Sequence, residues 1–234
     1  MKILSMFLAL LCSFTGILSA QTAPLGAWKS VSGDVTSVLL VTPSWFTITD
    51  YGEKNFISSY GGTWKSASQG QVDIFIQFNT ENKSQVGQNA TVPVGMENGR
   101  LITSSPGGGK QEWTQIDDGA GPLAGNWRIT ARETDGKMNP IQPGPGQTWK
   151  ILTGTRFQWI AINTESGEFF GSGGGTYTFE NGTYTEKIEF FSRDSSRVGA
   201  VLNFKGKVTG DDWDHSGLSS KGAPIHETWS RNTN

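Results

Sequence analysis

An internal repeat constrains this chain more than any other feature. Leu25-Gly26-Ala27-Trp28-Lys29 returns as Ala124-Gly125-Asn126-Trp127-Arg128, and Tyr60-Gly61-Gly62-Thr63-Trp64 returns as Gly173-Gly174-Gly175-Thr176-Tyr177. Val72 to Phe78 corresponds to Tyr184 to Phe190, and Ser84-Gln85-Val86-Gly87 to Ser196-Arg197-Val198-Gly199. The endings also match, Glu112-Trp113-Thr114-Gln115 against Glu227-Thr228-Trp229-Ser230-Arg231. Similar blocks in the same order mean a duplicated module. The boundary falls at Asp117-Asp118-Gly119-Ala120-Gly121-Pro122, a turn-rich linker. Residues 24–117 form the first copy and residues 123–232 the second. Most of the length difference is a Pro/Gly-rich insertion between Asp135 and Gly146.

Within each copy the apolar period is two. Ile74, Ile76 and Phe78 alternate with Asp73 and Gln77, and Phe157 and Trp159 alternate with Arg156 and Gln158. Turn signals such as Asp50-Tyr51-Gly52, Asn98-Gly99, Ser166-Gly167 and Asn181-Gly182 separate the runs. The two Asn-Gly pairs suit type I′ hairpins, whose central residues need positive φ. Glycine runs such as Gly173-Gly174-Gly175 suit sharply coiled barrel strands. No segment carries a helical stripe. The pattern predicts an all-β fold of two tandem antiparallel β-barrels, each closing on itself. One large barrel or sandwich made from two half-sheets is the alternative.

Composition narrows the setting. Charged residues make up 17% of the chain and the formal net charge is −2, which argues against nucleic acid and anionic membrane surfaces as partners. Lys2, the apolar run from Ile3, and Ser19-Ala20 before Gln21 read as an export signal over residues 1–20. The expected protein is periplasmic or secreted, with no membrane insertion after cleavage. The single cysteine, Cys12, lies in that segment. A mature chain without cysteine has no disulfide or thiolate metal site. No sequence signal bears on oligomeric state.

Gly-x-Trp opening the first strand, with an Arg two residues after a Trp in the last, resembles the calycin pattern of lipocalins and their relatives. The second copy, with Gly-Gly-Gly-Thr-Tyr, Tyr-Thr-Glu-x-Ile-Glu-Phe and a closing His-Glu-x-Trp-x-Arg, is similar to small secreted lipocalin-like bacterial proteins of unknown function. That resemblance implies lipocalin-like barrels in which the first Trp packs across the closed end. It also implies that Arg231 covers Trp127. The first copy keeps Trp28 but has Gln115 where the second has Arg231, so it reads as degenerate. Trp28, Trp113, Trp127 and Trp229 are expected as barrel-closing core residues. Trp149 and Trp213 are expected at a barrel mouth or in the seam between copies.

Motif searches for catalysis fail. There is no Gly-x-x-x-x-Gly-Lys-Ser/Thr and no Gly-x-Ser-x-Gly. Asp211, Asp212 and Asp214 beside His215 are explained by a charged hairpin turn, so no metal site and no cofactor are expected. His226 is expected to face solvent and His215 to lie near a barrel rim.

Comparing the copies is more informative. Glu186 stands where the first copy has Ile74, and Glu227 where it has Gln111. Both glutamates fall on the inward phase of their strands. Buried charge costs several kcal/mol per ion unless it is paired or wetted. One explanation is a pocket for a small, partly polar ligand in the second barrel. Glu186, Glu227, Arg156 and His215 would be its polar determinants and Trp159, Tyr177 and Tyr184 its walls. The other is an internal ion pair of Arg156 or Arg231 with a glutamate that serves only packing. Three functions remain open at this level: a ligand-binding module, an interaction protein with filled barrels, and an enzyme using Glu186, Glu227 or His215 as acid or base.

Overall fold

The computed structural model describes residues 23–68, 70–104 and 109–232. The expected export signal and Cys12 lie outside the described residues. The first unit contains β1 (Gly26–Ser32), β2 (Val35–Val41), β3 (Trp45–Tyr51), β4 (Phe56–Ser66), β5 (Gln71–Asn79), β6 (Asn89–Glu97), β7 (Arg100–Ser104) and β8 (Lys110–Asp117). Consecutive strands pair antiparallel, and β8 returns to β1 to close the barrel.

The second unit contains β9 (Gly125–Thr134), β10 (Lys137–Pro140), β11 (Gly146–Leu152), β12 (Arg156–Asn163), β13 (Phe169–Glu180), β14 (Thr183–Phe191), β15 (Val201–Thr209), β16 (Asp212–Leu218) and β17 (Pro224–Asn232). Here β17 pairs with β9, so eight strands close, and β10 hangs on the far end of β9 as a short hairpin arm. The Pro/Gly-rich insertion builds that arm. The chain is therefore two separately closed lipocalin-like barrels in tandem, and the alternative of one merged sheet does not form.

Local chemistry explains the frame. Asn98-Gly99 and Asn181-Gly182 hold positive φ at both residues (52° and 76°, 50° and 75°), the requirement of a type I′ turn. Gly62 and Gly175 sit beside matching register shifts in β4 and β13. A Cβ at either would lie 2.0 Å from the carbonyl of Phe75 or Lys187, so only glycine lets the neighbouring strand approach there. At the closed ends, Trp28 Nε1 donates to Pro24 O at 2.9 Å and Trp127 Nε1 to Leu123 O at 2.8 Å. Arg231 lies 4.2 Å over the Trp127 ring and donates to Ala124 O. In the first barrel Gln115 donates to Leu25 O instead.

The barrels pack side by side through their outer faces. Val38, Leu40, Trp45, Tyr51 and Phe78 meet Trp149, Ile151, Ile160, Ile162 and Phe190 in one buried cluster. Trp45 and Trp149 stand 5.0 Å apart, ring to ring. Val38-Leu39-Leu40-Val41 is a continuous apolar run because both of its faces are buried, one in the lumen and one in the seam.

Gln158 and Asp117 are satisfied across the seam. Gln158 accepts from Thr49 and donates to Ser59 and Ser172. The Asp117 carboxylate, at the end of β8, accepts from Ala27 N, Gly119 N, Thr153, Gly154 N and Thr155. Burial pushes its pKa up, but these donors outweigh burial and hold it below the usual carboxylate value.

Candidate functional site

The two lumens occupy equivalent positions in the same frame and differ in chemistry. In β2, Leu39 pairs with Trp28, and in β11 Lys150 takes that place opposite Trp127. Leu39 is one of the apolar side chains that fill the first barrel. Lys150 is equally buried, at 4% exposure. Its Nζ lies 2.8 Å from Glu186 Oε1, and both side chains are 6% exposed. Four rings surround the ammonium, with centroids at 4.9 Å (Tyr184), 5.1 Å (Trp213), 5.2 Å (Trp229) and 5.9 Å (Phe204). Aromatic faces stabilise a cation most strongly where water is excluded. The lysine is thus held by one carboxylate and a box of indole, phenol and phenyl faces.

Glu227 forms the second ion pair. Arg132 on β9 donates to Oε1 from Nη2 at 2.8 Å and from Nε at 3.2 Å, and Trp229 Nε1 donates to Oε2 at 3.1 Å. Glu227 is buried while Arg132 reaches solvent, with 55% of its side chain exposed, so this pair sits at the mouth.

His215 lies deep between the pairs, with 1% exposure. Neither ring nitrogen has a hydrogen-bond partner. Its Nδ1 is 3.7 Å from Glu227 Oε2, beyond direct bonding. Burial first, and the Lys150 charge second, hold its pKa well below the ordinary imidazole value, so the ring is neutral.

Above these groups is an open cavity of about 480 Å³. Trp159, Ile188, Phe191, Leu202, Phe204 and Trp229 supply apolar walls, Lys150, Glu186, His215 and Glu227 the buried polar lining, and Arg132, Thr148, Arg193, Ser219 and Ser220 the less buried polar lining. The corresponding cavity of the first barrel holds about 70 Å³ and is lined mainly by aliphatic and aromatic side chains. Each lumen carboxylate already has its cation, and the buried polar atoms left without a partner in this core are both His215 ring nitrogens, the Tyr184 hydroxyl and Trp213 Nε1, of which only His215 lines the cavity.

Several expected site residues are placed differently by the structure. Arg156 is corrected most. It projects from the outer face of β12 into the seam, where it donates to both Glu189 oxygens (3.0 and 2.6 Å), and Tyr51 of the first barrel donates to the same carboxylate at 2.6 Å. Period two explains this, since Arg156 alternates with Phe157, which faces the lumen core. Tyr177 and Tyr184 are core residues that do not line the cavity. Tyr177 donates to Thr153 O at 2.6 Å. Tyr184 packs on Trp213 at 4.9 Å, and burial and nearby Glu186 raise its hydroxyl pKa well above the usual phenol value. His215 is interior rather than at the rim. Asp212 and Asp214 are exposed on the strand that buries His215, so that group does not converge. Trp149 lies in the seam, and Trp213 is in the second core. Glu186, Glu227, Trp159 and His215 do line one cavity.

Sequence reasoning missed Lys150 and Arg132. The signal for Lys150 was present, a lysine in the run Trp149-Lys150-Ile151-Leu152 where the first copy reads Val38-Leu39-Leu40-Val41. Of the ion pairs expected as the packing alternative, Arg156 does pair with a glutamate, Glu189 at 2.6 Å, but in the seam rather than in the lumen, while Arg231 turns to the closed end.

No curated protein matches the chain. Residues 122–234 match a family model described as "Domain of unknown function (DUF4488)", so the family similarity coincides with the second barrel, the one whose lumen carries Lys150, Glu186, His215 and Glu227.

Proposed function

We propose that this chain is an exported, calycin-type binding protein that holds a small, partly polar molecule in its second barrel, with the first barrel as a structural copy. The observation that carries the reading is the contrast at matched lumen positions. Leu39, Ile74 and Thr103 of the first barrel become Lys150, Glu186 and His215 in the second, beneath a cavity of about 480 Å³. Replacing hydrocarbon with an ion pair in a core is neutral at best and often costs 1–4 kcal/mol. A barrel with nothing to hold is more stable filled, as the first one is. A mostly apolar cavity with a few convergent polar groups is the usual form of a small-molecule site. Export rests on Lys2, the apolar run from Ile3 and Ser19-Ala20, and N-terminal sequencing of the mature protein tests it.

Native mass spectrometry of protein purified from its own host tests the binding reading. The expected result is a bound small molecule that is lost in Ala161→Trp, which fills the cavity from its wall while leaving both ion pairs in place. A wild-type protein that carries no adduct, and whose thermal stability does not respond to a small-molecule library, overturns it.

A further inference from the structure

Within that binding reading, we propose that the ligand is an uncharged ring compound bearing a hydroxyl group, and that the hydroxyl bridges His215 Nδ1 and Glu227 Oε2. This deepens the proposed function and rests on it.

The first support is charge balance. Lys150 is matched by Glu186 and Glu227 by Arg132, at 2.8 Å each. Arg193 also lines the cavity, but it is exposed and donates to Phe170 O, so a charged group on the inner end of a ligand would enter a buried site with no spare counter-ion beside it, which is strongly unfavourable. A neutral group meets no such cost.

The second support is the unfilled hydrogen-bonding capacity. A neutral imidazole has one N–H donor and one acceptor nitrogen, and both nitrogens of His215 lack partners in a side chain that is 1% exposed. Buried polar groups are almost always bonded, so an orphan of this kind calls for an incoming group.

The third support is the gap itself. Nδ1 and Glu227 Oε2 are separated by 3.7 Å. That is too far for a direct bond, yet an oxygen placed about 2.8 Å from each completes a triangle on this base. The carboxylate accepts only, so the inserted group must donate to it. The neighbouring carboxylate favours the Nδ1–H tautomer, so the same group must also accept from nitrogen. A hydroxyl does both with one atom. A carboxylate donates nothing, an ammonium accepts nothing, and a hydrocarbon does neither. The walls decide the remainder of the ligand, because Trp159, Phe191, Phe204 and Trp229 offer aromatic faces to a ring.

The test uses the mature protein and three probes of one shape: 2-naphthol, 2-naphthoic acid and 2-naphthylmethylamine, which are respectively neutral, anionic and cationic at neutral pH. Quenching of tryptophan fluorescence and calorimetry report binding. The expected result is that the naphthol binds at least about tenfold more tightly than either charged probe. The preference should disappear in Glu227→Gln and in His215→Phe, with naphthol affinity falling about tenfold or more. Circular dichroism of each variant guards against loss of folding, and Thr91→Val, on the exposed face of the first barrel, should leave the preference intact. Equal binding of all three probes, or a preference for a charged one, overturns the hydroxyl assignment while leaving the cavity reading standing. Absence of binding by every probe, together with Ala161→Trp behaving as the wild type toward each, counts against the cavity reading and the hydroxyl with it. A bound-state crystal structure with only water between His215 and Glu227 likewise overturns the bridge.

Discussion

The two barrels share a frame and differ in what they enclose. Each opens with a tryptophan whose indole donates to a carbonyl four residues back, and each bends its fourth strand at a glycine that faces a neighbouring carbonyl. Each also carries a matching 3-10 turn, Lys83–Gln85 and Ser195–Arg197, capped by Asn82 and Asp194 respectively. None of this depends on the lumen. The interior positions are therefore free to vary, and the copies have used that freedom differently. One lumen is mainly hydrocarbon with little space. The other holds two ion pairs, an unpartnered histidine and room for a ligand. Closure and packing keep the frame, and lumen chemistry is the variable on which function acts.

Exchanging lumen residues between the copies tests this comparison. Lys150→Leu alone leaves Glu186 buried without its cation and is expected to cost about 3–5 kcal/mol. Adding Glu186→Ile, which restores the Leu39/Ile74 pair of the first barrel, should recover most of that loss or exceed the wild type by about 1–4 kcal/mol. Denaturant unfolding measures both. A double variant as unstable as the single one would show that the ion pair is not what separates the two cores.

The link between the barrels comes next in size. Asp117→Ala removes an acceptor that serves backbone and hydroxyl donors from both units. A loss of about 2–3 kcal/mol is expected, since hydrogen bonds to a charged group are the stronger kind. Calorimetry should also show the two barrels unfolding less cooperatively. A single unchanged transition would show that the apolar seam alone couples them.

The histidines give the second barrel a pH response that the first lacks. Folded His215 stays neutral where the unfolded side chain takes up a proton. The unfolded state therefore binds more protons below pH about 6.5, and stability falls as pH drops, with a limiting slope of about 1.4 kcal/mol per pH unit. His215→Thr, the residue at Thr103 of the first barrel, should remove this dependence.

His226 acts in the opposite sense. Hydrogen bonds to Asp214 and Glu133, at 2.8 and 2.7 Å, raise its pKa. Its contribution is complete below the unfolded value and is lost as pH rises through the higher folded one. Screening at this partly exposed site makes the effect small. NMR titration of the two rings distinguishes them, and a normal titration of His215 would contradict its burial.

The smallest expected effect is at the closed ends. Gln115→Arg gives the first barrel the counterpart of Arg231 over Trp127. Stacking on Trp28 at an exposed rim should add about 0.5–1 kcal/mol, read as a small rise in Tm.

Much of the site was legible because a strand fixes which way each side chain faces. Glu186 and Glu227 could be assigned to the lumen by counting in twos from Tyr184 and Trp229, and both line the cavity. The same count placed Arg156 opposite Phe157. Taking Arg156 as a pocket residue overlooked that phase. An outer barrel face is normally solvated, whereas here the second barrel packs against the first, so an outward arginine is 8% exposed. Lys150 was hidden for a related reason. Its apolar neighbours Trp149 and Ile151 belong to the seam, so the strand looks like an ordinary core run with one lysine in it.

By itself the sequence determined the duplicated all-β frame, the hairpins and the facing of each strand residue, because these depend on local backbone geometry and a period of two. Only the tertiary structure decided which outer faces meet, that Lys150 rather than Arg156 answers Glu186, and that His215 stands unpartnered beside Glu227. Those outcomes depend on distances between strands far apart in the chain, and alternation along a strand carries no information about them.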